Sequence, residues 1–111
     1  MIYFLQNAEG HIKIGCTSNL EQRIQALQVG NSSNLKLLYI IELPDEESYS
    51  FEQHTHGFCR MYHLQGEWFK PEVLEHLQRH PWYREYMIPA NKIENKQPKS
   101  PQTQSAVTQT P

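Results

Sequence analysis

The chain reads as a small α/β domain: a hairpin, a helix, a third strand and then further helices. Three observations predict it. Apolar residues alternate at Ile2, Phe4, Ile12 and Ile14 on either side of a polar stretch, 6–10, the pattern of two paired strands. Leu20, Ile24 and Leu27 recur at helical spacing. Residues 35–43 hold an apolar run, Leu37-Leu38-Tyr39-Ile40-Ile41, as expected of a strand covered on both faces. At 111 residues, with aromatics at 11%, the chain fits one domain with a modest core.

In the hairpin, a loop over 6–10 places the even positions in the core and sets Tyr3 directly opposite Lys13 on the odd face, roughly 5 Å apart at Cβ. A cation beside a phenol favours loss of its proton, so the two form a candidate catalytic pair. Ser18-x-x-Glu21 reads as a capping box that opens the first helix, and Gly30-Asn31 ends it. The run over 35–43 is expected to be the central strand. Pro44-Asp45 starts a second helix, with Phe51, Thr55, Phe58 and Tyr62 at helical spacing, ending before Gly66. Glu67-Trp68-Phe69 reads as a short strand or a turn. Pro71 suits the first position of a third helix over 72–79, which His80-Pro81 stops.

Composition changes near Pro89, so the domain is expected over 1–88. Residues 89–111 form a polar tail without aromatics, too poor in apolar area to offset its ordering entropy. The tail is slightly basic, with Lys92, Lys96 and Lys99 against Glu94, and suited to holding a polyanion without specifying one. The formal charge of −2 argues against a broadly basic nucleic-acid binder, so any such partner must meet a local patch. No apolar run is long enough to span a membrane, and two distant cysteines, Cys16 and Cys59, fit a reduced, cytoplasmic protein.

Three further features bear on chemistry. Arg23 sits in the stripe of Leu20, Ile24 and Leu27, where it must snorkel, pair or meet an anion; its planar fork suits a phosphate. Glu67, among Gly66, Trp68 and Phe69, calls for a partner: a helix terminus, or a hard divalent cation, which takes one or two carboxylates. His54, His56 and His63 with Cys59 between them hint at zinc but match no closed-site spacing; one of the histidines could instead carry a proton.

These residues converge in order. Tyr3, then Lys13-Ile14-Gly15 followed by Cys16-Thr17-Ser18-Asn19-Leu20-Glu21-Gln22-Arg23, then Leu27-Gln28-Val29-Gly30-Asn31, then Glu52 and His56, then Gly66-Glu67-Trp68-Phe69 together resemble the GIY-YIG nuclease superfamily. The set looks closest to its small phage and bacterial branch, with K-I-G for the second motif and a G-E-W-F motif. The resemblance covers residues 1 to about 71. It implies a three-stranded antiparallel sheet flanked by helices, and an endonuclease that hydrolyses DNA phosphodiester bonds with one Mg²⁺ or Mn²⁺. It further implies Tyr3 as general base or water-orienting group, Lys13 in the second motif's tyrosine position, Arg23 on the scissile phosphate and Glu67 as the metal ligand. His56 matches the family's helix histidine, with His54 as the alternative register. The first motif, Ile2-Tyr3-Phe4, departs from the pattern in having no glycine before the isoleucine. Cys59 and Met61 interrupt the usual aromatic run before Gly66. A different class of function, a catalytically weak DNA-binding or partner-recruiting module on the same fold, stands beside the enzyme; there a protein partner would supply specificity.

Overall fold

The computed structural model describes residues 1–31 and 34–93. The chain is α+β with a wholly antiparallel sheet. Strand β1 (Ile2–Gln6) turns into β2 (Ile12–Cys16), helix α1 (Leu20–Val29) follows, and β3 (Lys36–Ile41) returns along the other edge of β1. Helix α2 (Asp45–Phe58) and a 3₁₀ turn (Arg60–Tyr62) lead to the short strands β4 (His63–Gln65) and β5 (Trp68–Phe69). Helices α3 (Val73–Gln78) and α4 (Pro81–Tyr86), strand β6 (Ile88–Pro89) and a 3₁₀ turn (Ala90–Lys92) complete the domain. Among the described residues the sheet has six strands in the order β4-β5-β2-β1-β3-β6, not three. The expected trio β2-β1-β3 is its middle, widened by two-to-three-residue strands too short to announce themselves by alternation. Strand β1, not β3, lies at the centre of that trio.

Both faces of the sheet are apolar. Ile2, Phe4, Ile12, Ile14 and Ile41 pack with Phe69, Val73, Leu77 and Tyr83 on the side of α2, α3 and α4. Tyr3, Leu5, Leu37 and Ile40 pack with Leu20 and Ile24 of α1 on the other. The odd positions are thus not an open chemical face, because α1 covers them. The buried Thr55 hydroxyl and the Tyr83 phenol lie 2.9 Å apart and tie α2 to α4.

Several boundaries differ from those the pattern suggests. Asn19, not Ser18, caps α1, its side chain accepting from the Gln22 amide at 3.1 Å. Helix α2 ends at Phe58, and its buried face is Ser48, Glu52 and Thr55, continued by Cys59, one step round from the aromatic positions Phe51 and Phe58. Glu72 is the N-cap of α3, so Pro71 lies ahead of it. Pro81 opens α4 as its first residue, with His80 accepting from the Trp82 amide at 3.2 Å; the His-Pro pair ends one helix and starts another. The fold also passes the expected boundary at 88. Tyr39 and Ile40 pair with Pro89 and Ile88, Ala90 is buried, and Ile93 packs beside it. The remainder of the expected tail, 94–111, lies outside the described residues.

Candidate active site

The hairpin register decides what Tyr3 and Lys13 can do. Tyr3 faces Gly15 and Lys13 faces Leu5, two residues off the expected pairing, because the turn closes Asn7 against Gly10 and His11 rather than at the centre of 6–10. A shift of two keeps both side chains on one face but moves Lys13 away from the phenol. The space over Gly15 is filled by the Tyr3 ring, and a Cβ at that position would collide with the phenol oxygen and Cζ. Glycine is required there to seat the tyrosine.

The partner of Tyr3 is Arg23. The phenol has 0% exposure, while Arg23, one turn into α1, is exposed and donates from Nε to Tyr3 Oη at 3.3 Å. Burial raises the phenol above its ordinary range, and the Arg23 hydrogen bond and charge offset part of that rise. The expectation that Lys13 lowers it is overturned; Arg23 supplies the field.

Lys13 turns toward the other end of the motif set. It pairs across the sheet with Trp68, its ammonium sits 5.4 Å from the indole centre, and Nζ lies 3.2 Å from Glu67 Oε1. That contact is an ion pair without hydrogen-bond geometry, since buried Oε1 has no hydrogen bond. Glu67 follows Gly66, whose φ of 58° is the left-handed turn that lets β4 fold back onto β5. Glu67 therefore caps no helix.

The meeting point is an open stretch of sheet edge. Strand β5 pairs with β2 only at Ile12 and Lys13, and one more bond runs from the Ile14 amide to the Glu67 carbonyl at 3.0 Å. In an antiparallel ladder the N–H and C=O of a residue face the same neighbour, so the Ile14 carbonyl would be left bare. His56 of α2 takes it, Nε2 to oxygen, at 2.8 Å. The carbonyl can only accept, so Nε2 carries the proton and the lone pair of a neutral ring is on Nδ1. The ring rests edge-on against Phe69 at 5.1 Å. His56, not His54, is the histidine brought to this edge; His54 is exposed and packs on Phe51.

One residue here stands in the motif order above but has no role there. Glu52, one turn before His56, is 1% exposed. Its Oε1 accepts from Gln53 Nε2 at 3.2 Å and from Cys16 Sγ at 3.7 Å, while Oε2 is buried with no hydrogen bond. Burial and then the adjacent Glu67 carboxyl push its carboxyl above the usual range. The signal that could have found it is the i, i+4, i+7, i+11 spacing of Ser48, Glu52, Thr55 and Cys59, an inward stripe that contains a carboxylate.

The zinc alternative is not built. Among the described residues no group of three or more His, Cys, Asp or Glu is arranged to hold a metal; Cys59 is a core thiol that burial pushes up to about 12, and His63 bonds the Gly66 carbonyl at 2.8 Å. Glu67 Oε1 and Glu52 Oε2, buried and outside any hydrogen bond, do suit a hard divalent cation, which needs only one or two protein carboxylates. Around the free stretch of β2, Tyr3, Arg23 and Lys13 thus come from the α1 side of the sheet and His56 and Glu52 from the α2 side, with Glu67 of the β4-β5 turn paired to Lys13.

The match to a family model follows that geometry: the T5orf172 domain aligns with residues 1–85. The chain belongs to the T5orf172 domain family. This is a phage-associated domain with a GIY-YIG-like nuclease fold, and the T5orf172 match spans every element that contributes to the site. No curated protein and no solved structure matches the chain. Among the described residues no helix of this T5orf172 domain is long and apolar enough to cross a membrane.

Proposed function

We infer that this domain is a DNA endonuclease of the GIY-YIG type, from the branch with lysine in the second motif, and that it works with Mg²⁺ or Mn²⁺. The observation that carries the reading is the closeness of an arginine-bound tyrosine to a carboxylate whose buried Oε1 has no hydrogen bond. A phosphodiester resists attack because it is anionic, so the first requirement is a fixed cation for the phosphate. Arg23 meets it: its exposed fork offers N–H groups beyond the Nε held by Tyr3. Tyr3 Oη, fixed by Gly15 below it and Arg23 beside it, orients the attacking water. As phenolate, Oη would take a proton from that water, and the Arg23 hydrogen bond and charge favour that form. Lys13 holds Glu67 in place and adds positive charge near the phosphate. Glu67 would hold the divalent ion, which when bound supplies Lewis-acid stabilisation of the charge developing on phosphate oxygens.

The raised, buried phenol favours one rival, a DNA-binding or partner-recruiting module without turnover. Nicking of supercoiled plasmid by the purified full chain separates the two. Nicking in Mg²⁺ or Mn²⁺ that stops in chelator supports the nuclease, whereas DNA retention without nicking in either metal leaves the binding module.

A further inference from the structure

We propose that Glu52 is a second carboxylate ligand of the divalent cation that Glu67 holds, an inference that rests on the metal-dependent reading above. Glu52 occupies the inward stripe of α2, where its neighbours Ser48, Thr55 and Cys59 are small and uncharged. A carboxylate carries a large desolvation cost in such a place unless each oxygen is satisfied. Only one is. Oε1 takes the Gln53 amide and the Cys16 thiol, but Oε2 takes nothing.

The group closest to hand does not relieve it. His56 Nε2 lies 3.6 Å from Glu52 Oε2, yet its proton is directed at the Ile14 carbonyl. The other oxygen buried without a hydrogen bond, Glu67 Oε1, belongs to the carboxyl group within hydrogen-bond reach of Glu52. Two carboxyl groups brought together by α2 and the β4-β5 turn, each with a buried oxygen outside any other hydrogen bond, repel one another as carboxylates unless they share a positive charge. Lys13 serves Glu67 alone. A hard divalent cation serves both and leaves its other positions to water and phosphate oxygens.

The test is calorimetric titration of Mn²⁺ into the metal-free full chain and into Glu52→Gln, Glu52→Asp and Glu67→Gln, with thermal unfolding of each. Glu52→Gln keeps the volume and removes the charge. It should weaken Mn²⁺ binding at least about tenfold, since loss of even an outer partner of a metal site costs that much. Glu52→Asp, which keeps the charge on a shorter arm, should retain part of the affinity. Metal-free Glu52→Gln should unfold no lower than the parent, the opposite of what a purely structural role for the carboxylate requires. Should Glu52→Gln fail to fold, Glu52→Asp decides: weakened Mn²⁺ binding supports the proposal and unchanged affinity overturns it. Wild-type affinity in Glu52→Gln alongside loss in Glu67→Gln overturns the role of Glu52 and leaves that of Glu67. No Mn²⁺ binding by the parent chain overturns both.

Discussion

Arg23 Nε stands 3.3 Å from Tyr3 Oη, so a solvent-facing cation on α1 is tied to a phenol with no exposure at all. Lysine at position 23 would keep the charge but lose both the Nε donor and the planar fork. Arg23→Lys is expected to slow plasmid nicking by about 10²–10³-fold, the scale of losing one preorganised donor, and to lower the melting temperature modestly, since the buried Tyr3 hydroxyl loses its donor.

Gly15 owes its identity to the same tyrosine. Gly15→Ala forces a methyl into the phenol oxygen and should cost about 1–3 kcal/mol, the usual range for overpacking, while displacing Oη from Arg23. Adding Tyr3→Phe removes the nearest atom, so the double variant should recover part of the stability and none of the nicking. Thermal melts of the two variants beside Tyr3→Phe check this.

The Tyr3 phenol is raised by burial from its ordinary 10.0 and lowered in part by Arg23. A group whose folded pKa exceeds its unfolded value adds stability below the unfolded pKa, and that contribution is lost as pH rises through the folded pKa. The metal-free chain should therefore lose stability above about pH 10, and Tyr3→Phe should flatten that loss. Arg23→Met should move the phenol's titration higher still. Lys13→Met should leave it in place, since the charges acting on Tyr3 are those of Arg23, Glu67 and Glu52. Tyrosinate absorbance against pH distinguishes these cases.

Truncation locates the end of the fold. A chain ending at Ile93 keeps the pairing of Pro89 with Tyr39 and the packing of Ala90, and should melt like the full chain. Ending at Ile88 removes both and should cost about 1–3 kcal/mol, read by denaturant unfolding of the two truncated chains.

Much of this was legible in the residues, for identifiable reasons. The alternation of Ile2, Phe4, Ile12 and Ile14 gave the hairpin and its core parity, and the spacing of Leu20, Ile24 and Leu27 gave α1. Register was not legible, because a pairing shifted by two residues preserves every side chain's face and only the turn geometry at 7–11 chooses between them. Trp68–Phe69 could be read only as a strand or a turn, and His63–Gln65 and Ile88–Pro89 carry too few residues for periodicity to show. Pro81 misled because proline both ends a helix and begins one. At the site, Tyr3, Arg23 and Glu67 stood out as chemically awkward in their local patterns. Glu52 did not, since its place on the inward face of α2 appears only when the aromatics at 51 and 58 are seen to flank the buried stripe rather than form it.

If the edge holding Glu67 beside the Arg23-bound Tyr3 hydrolyses DNA with a divalent ion, the charge at position 67 is indispensable. Nicking of supercoiled plasmid in Mg²⁺ by the parent chain and by Glu67→Gln, side by side at matched concentration, tests it most directly. Parent nicking that falls at least about 10²-fold in Glu67→Gln, as loss of several kcal/mol of charge stabilisation requires, is the predicted result; equal nicking by the two proteins would contradict it.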